Sequence, residues 1–430
     1  MDTSAGSAAA ERVFRREAPR LVAALTRIFG VHNLVLAEDV VQDAFLRAMD
    51  EWKTHGLPQN PGAWLMTTAR NRALDLVRRE RTARTFAPEL GRLLESEWTT
   101  ASVVDEAFVE EMVLDEQLRM MFSCCHPQLP EAVQVSLILN ILCGFGSDAI
   151  AGAFLTGRDA VEKRLQRGKK VLAESGRLFT LTDRDFHERL DAVRRAVYLL
   201  FNEGYHGSGD STVRAELCAE ALRLTSLLRR HSGAATPTTA ALAALMHLHA
   251  ARLAARIDVL GDLQSIDEQD RSRWDARLVA QGLALFEESA AGTEITGYHV
   301  EAAIAAAHAS AASVSETDWG LIVSLYDRLM ALAPSPVVAM NRAIAIAQRD
   351  GPERGLAELN VIADRERLVA YPFYRAALGD LEAQRGEHTA ARAHFTAALA
   401  GARNDTERRF LEERLRRLAT ERASSDARPD

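Results

Sequence analysis

Apolar residues return every three to four positions along nearly the whole chain, and no stretch alternates polar with apolar as a strand does. Ala, Leu, Arg and Glu dominate, and Pro and Gly mark the gaps between periodic segments. This pattern predicts an all-α protein. At 430 residues the chain is long enough for two or three helical domains. Its 47% hydrophobic and 26% charged residues suit packed cores. No apolar run reaches the roughly 18–20 residues that cross a bilayer. The first residues, MDTSAGSAAAERVFRRE, lack the basic-then-apolar order of a signal peptide. A cytoplasmic protein without membrane contact is expected.

Four helices are read from the periodicity before residue 124. Segment 11–29 turns Val13, Leu21, Leu25 and Ile28 to one side. Segment 37–52 carries Val40, Val41, Ala44, Phe45 and Ala48 as a stripe, with Glu38, Asp39, Gln42, Asp43 and Asp50 off it. Segment 60–81, NPGAWLMTTARNRALDLVRRER, opens on a good N-cap, Asn60, with Pro61 at the first helical position. Its apolar side is Leu65, Met66, Ala69, Ala73, Leu76 and Val77. The other side shows Thr67, Thr68, Asn71, Arg72, Asp75, Arg78 and Arg79. Trp64 suits either the core or an unpaired base. Segment 85–105 is polar and poorly periodic, as a linker would be; helices resume over 106–123 and 130–143.

Formal net charge is -8, yet the charge is segregated. Residues 70–92 hold seven arginines against three acids, residues 95–131 nine acids against Arg119 alone, and residues 158–170 six basic residues against Asp159 and Glu162. Basic patches of this size suit polyanions, although solvated helix faces are also built this way. SDAIAGAFL (147–155) and DAVEKRLQRGKKVL (159–172), joined at Thr156-Gly157, read as a helix-turn-helix whose second helix is basic.

The helices at 37–52 and 60–81 and the later helix-turn-helix, in that order, resemble sigma-70-class initiation factors of the small extracytoplasmic-function type. The resemblance implies a region 2 over 8–84, a linker over 85–105 and a region 4 over 106–175. It implies core RNA polymerase as partner, through its beta-prime clamp and beta flap, with Asp39, Gln42 and Asp43 docking on the clamp. It implies opening of promoter DNA at the -10 element by Trp64, Thr68, Asn71, Arg72, Arg78 and Arg79. It implies reading of the -35 element by Arg158, Glu162, Lys163, Arg164, Arg167 and Lys169. The helix-turn-helix departs from the common pattern at Ala149 and Ala160-Val161, so the -35 sequence does not carry over.

LLFNEGY (199–205), ALMHLHAARLAAR (244–256), DEQDRSRWD (267–275), GYHVEAAIAAAHA (297–309), TDW (317–319) and SPVVAMNRAIA (335–345) resemble a subgroup with a long C-terminal helical domain. The resemblance implies that residues 183–420 form a tetratricopeptide-like regulatory array, with an associated small YCII-like protein. AQRDGPERGLAEL (347–359) and AQRGEHTAARAHF (383–395) repeat at a spacing of about 35–36 residues. Asn202 to Tyr205, His247, His249 and Arg252 look site-like, and the plainer reading makes them polar locks between helices.

Cys124, Cys125, Cys143 and Cys218 are expected to be buried thiols. No nucleophile-base pair, phosphate loop or HExxH motif stands out, so neither an enzyme nor a cofactor or metal site is expected. The alternative is a helix-turn-helix regulator with a protein-binding repeat domain that acts on a complete holoenzyme. Such a regulator needs no polymerase-docking helix.

Overall fold

The computed structural model describes residues 3–30, 33–80, 105–153, 156–175, 183–206, 213–258, 262–363, 365–369 and 371–426. The expected linker, Asp105 excepted, lies outside them. The fold is all-α; among the described residues the one β feature is an isolated bridge between Ile257 and Leu263. Residues 1–200 and 201–430 form two compact units.

The first unit holds α1 (Thr3–Phe29), α2 (Leu34–His55), α3 (Pro61–Glu80), α4 (Glu110–Cys124), α5 (Glu131–Leu137), α6 (Ser147–Ala153) and α7 (Arg158–Ser175). The unit boundary falls within α8 (Asp183–Tyr205). Pro19 lies inside α1 and not between helices. Helix α2 stops where Gly56 takes φ 80°, a conformation that strains any side chain. Asn60 caps α3 as expected: Ala63 N–H donates to its Oδ1 at 3.0 Å.

Helix α1 packs on α2, α3 and α4. Leu21, Leu25, Ile28, Val40, Ala44, Leu65, Ala69, Ala73 and Val77 meet in this core. Each Leu, Ile or Val sealed there contributes about 1.5–3 kcal/mol. The expected apolar side of α3 needs one correction: Leu74 is buried, whereas Met66 and Leu76 are only half-buried. Arg27 of α1 donates to the buried Glu116 of α4 at 2.8 Å, which ties those two helices together. The helix expected over 130–143 loosens after Leu137 into a π turn, Ile138–Leu142, and ends at Gly144 with φ 68°.

The second unit is a succession of helices, most of them packed on their neighbours in sequence. They are α9 (Ala215–Arg230), α10 (Pro237–Ala250), α11 (Leu253–Arg256), α12 (Ala276–Ser289), α13 (Gly297–Ser310), α14 (Trp319–Leu332), α15 (Pro336–Asp350), α16 (Pro352–Asn360), α17 (Glu366–Val369), α18 (Pro372–Gln384), α19 (His388–Ala400) and α20 (Asp405–Asp426). Helix α10 is apolar all round and correspondingly buried all round, beneath α9, α12 and α13. The internal repeat takes form as two hairpins, α15–α16 and α18–α19. Each turns on a left-handed glycine, Gly351 (φ 97°) and Gly386 (φ 80°). Each also carries a glycine at the helix crossing: Gly355 lies against Ala347 and Gly379 against the Phe395 ring.

Candidate polymerase and nucleic-acid interface

Helix α2 has two opposite faces. Ala37, Val40, Val41, Ala44, Phe45, Ala48 and Trp52 are buried. At about 100° per residue, Val35, Asp39, Gln42, Leu46 and Met49 line up on the other side. All five are exposed, Leu46 by 63% and Met49 by 45%. Sequence reading found Asp39 and Gln42 and missed the apolar members, although their spacing opposite the core stripe was a usable signal. A mixed acidic and apolar stripe suits a protein partner better than plain solvent. Asp43 flanks the stripe, half-buried, with Arg72 Nη2 of α3 at 3.4 Å from its Oδ2.

On α3, Trp64, Thr68 and Asn71 line one surface cavity of about 490 Å³ with Arg47, Asp50 and Glu51 of α2. Sequence reading had not given these α2 residues a place beside α3. Trp64 is half-buried, edge-on to Trp52 with centroids 5.8 Å apart, so one end is packed and the other faces the cavity. The Thr68 hydroxyl donates to the Trp64 carbonyl at 2.9 Å, which leaves it only as an acceptor toward a ligand. The Arg70 guanidinium reaches Asn71 Oδ1 at 3.3 Å. Arg78 and Arg79 belong to α3, but their side chains lie outside the described residues.

The segments expected to form the helix-turn-helix fold as α6 and α7, with Ile150, Val161, Leu165 and Leu172 buried. Gly168 allows α7 to approach α5: a Cβ there would lie 2.8 Å from Leu137 Cδ1. Lys163 and Arg167 are exposed, Glu162 and Arg164 half-buried. Arg158 is exposed but engaged, at 2.7 Å from Glu162 and 3.2 Å from Asp148. Lys169 does not share the open face of Lys163 and Arg167. Its Nζ lies 2.6 and 2.8 Å from the two carboxylate oxygens of Glu38 on α2. Lys170, one residue on, occupies the exposed face instead. Gln42, Glu38 and Lys169 also line a cavity of about 230 Å³ together with Phe145. In this arrangement α7 therefore sits against part of the α2 surface.

All four cysteines are free and buried. Burial pushes the Cys124 thiol far up, with Cys125 adding to it, and pushes Cys125 to about 12. These are packing residues.

Residues 13–83 match sigma-70 region 2, and residues 189–290 match a family of unknown function, DUF6596. An uncharacterised protein of Rhizobium meliloti (strain 1021) is 38% identical over 410 residues, covering 94% of this chain and 95% of that one. No solved structure matches. The chain belongs to the same family as this rhizobial protein, and it joins a sigma-70 region 2 to a DUF6596 segment. The region 2 match supports a sigma-70-class factor acting in transcription initiation, and it implies binding to core RNA polymerase and promoter DNA. Sigma factors are not an enzyme family. No described helix is long and apolar enough to cross a membrane.

Proposed function

We propose that the protein is a sigma factor of the extracytoplasmic-function type, with region 2 over 8–84, region 4 over 106–175, and a fused tetratricopeptide-like regulatory domain over 183–420. One observation carries the reading furthest. Within the region 2 match, a docking-type stripe on α2 lies beside a cavity that gathers Trp64, Thr68 and Asn71. Asp39, Gln42 and Asp43 face the polymerase. Trp64, Thr68, Asn71, Arg72, Arg78 and Arg79 face the -10 region. Arg158, Glu162, Lys163, Arg164 and Arg167 face the -35 element, with Lys170 in the place first given to Lys169. The two glycine-turned hairpins support the repeat reading of the C-terminal unit. A small YCII-like partner belongs to the same reading.

Run-off transcription with core polymerase on genomic templates tests the assignment: promoter-specific transcripts are expected, and none from any template would refute it. Base stacking is worth about 1–3 kcal/mol. Trp64→Ala is therefore expected to weaken holoenzyme binding to a single-stranded -10 oligonucleotide roughly 5- to 150-fold, whereas Trp64→Phe keeps most of it, as read by fluorescence anisotropy. Lys163→Gln and Arg167→Gln should each flatten the log–log salt dependence of promoter binding by about 0.9. Lys169→Gln, whose ammonium sits on Glu38, should leave that slope unchanged.

A further inference from the structure

The C-terminal unit holds a group of cations that nothing above explains. Arg252 and Arg256 lie one helical turn apart and are 8% and 6% exposed. Arg252 Nε donates to Gln269 Oε1 at 3.2 Å, and its guanidinium lies 5.3 Å from the Trp274 ring centre. The Arg256 guanidinium stands 4.0 Å over Tyr205, and its buried Nε has no hydrogen-bond partner. Among the described residues no carboxylate comes within ion-pair distance of either arginine. Surface arginines of this chain, by contrast, repeatedly pair with acids, as Arg342 does with Asp327 and Glu358.

The surroundings register this excess of positive charge. Burial raises the Tyr205 phenol, yet the charges of Arg252 and Arg256, together with a hydrogen bond from Arg256, outweigh it and the net shift is downward. His249, edge-on to Tyr205 at 4.9 Å, is held neutral by burial and then by the same two arginines. Buried like charges this close are retained only where something of opposite sign compensates them.

Arg252 and Arg256 both line one cavity of about 510 Å³. That volume suits a small organic molecule. Tyr371, Phe373 and Phe410 supply an aromatic wall, with neighbouring ring centres 5.4 and 6.4 Å apart. Asp380 and Asp267 also line it; Asp380 lies 3.6 Å from Arg414, and Asp267 is exposed to solvent. Glu268 is likewise held by Arg414, at 2.9 Å. Asp380 and Glu268 are therefore engaged by Arg414 and not by Arg252 or Arg256.

We propose that this cavity binds a small organic anion: a carboxylate or phosphate monoester seated on Arg252 and Arg256, with an apolar, ring-sized body against Tyr371, Phe373 and Phe410. Guanidinium forks match both anions. The proposal is independent of the polymerase reading.

Calorimetric titration of the full-length protein tests it, with benzoate and phenyl phosphate as probes and benzamide as the neutral control. At least one anion is expected to bind saturably with a Kd below about 1 mM, at least about tenfold tighter than benzamide. The stronger of the two arms identifies carboxylate or phosphate chemistry. Arg252→Met and Arg256→Met should each weaken that anion at least about tenfold, while Arg277→Met, on the exposed side of α12, should not. Unliganded Arg256→Met should melt no lower than wild type, because it removes a buried cation that has no carboxylate partner among the described residues. A lower melting temperature with unchanged anion affinity would mark Arg256 as a structural clamp and overturn the proposal. So would failure of both anions to bind wild type at about 10 mM, a result that does not depend on any variant's folding.

Discussion

Gly204→Val is expected to cost the C-terminal unit more than about 4 kcal/mol and to leave little folded protein. At the end of α8, a Cβ on residue 204 would stand 2.8 Å from both the N and Sγ of Cys218 and 2.9 Å from the Arg214 carbonyl. Two of these three atoms are backbone. They are held in place because Arg214 N–H donates to the Gly204 carbonyl at 2.7 Å. No rotamer change can make room. Gly204→Ala sharpens the test, because alanine favours a helix by about 1 kcal/mol over glycine. The close approach should reverse that sign and leave a net loss of about 1–3 kcal/mol, the usual cost of overpacking. Urea denaturation measures both variants. A stabilised Gly204→Ala would show that α8 and the start of α9 do not touch as described.

Reversing Asp39 and Asp43 together (Asp39→Lys, Asp43→Lys) should lower affinity for core polymerase by about two orders of magnitude or more. Placing like charges across an interface costs several kcal/mol. The fold should tolerate the change. Asp39 is exposed, and losing the half-exposed Asp43–Arg72 pair costs at most about 1 kcal/mol. Pull-down or biolayer interferometry reads the affinity, with circular dichroism as the folding control. Leu46→Ser on the same stripe should add to the loss. Full retention of binding would exclude this face of α2 and favour a regulator that recognises a complete holoenzyme.

The sequence showed most clearly what neighbouring residues decide. The Asn60 cap, the buried side of α2 and the turn at Thr156-Gly157 depend on a few consecutive positions, and each was readable. The spacing of the two repeat copies was readable, whereas the turns at Gly351 and Gly386 emerge only from the structure. Periodicity alone missed Leu74, because burial at the edge of a stripe depends on which helices pack from both sides. The Lys169–Glu38 pair joins residues 131 positions apart, so a basic helix read alone puts that lysine with its exposed neighbours. Arg252 was read as a lock between helices. Its place beside Arg256 on a cavity wall needs residues from 206 to 414 to converge, which no local pattern shows. The Asn202–Tyr205 motif came closer: Gly204 does lock α8 onto the start of α9.

The four cysteines have a practical consequence. Thiols react as thiolates, and with Cys125 and Cys218 raised to about 12 and both buried, the native protein should resist alkylation at neutral pH. Labelling therefore times the opening of the chain. Cys124, Cys125 and Cys143 lie in one unit and Cys218 alone in the other. Counting adducts by mass spectrometry during a urea pulse would show which half unfolds first: an early single adduct means residues 201–430, and an early triple adduct means residues 1–200.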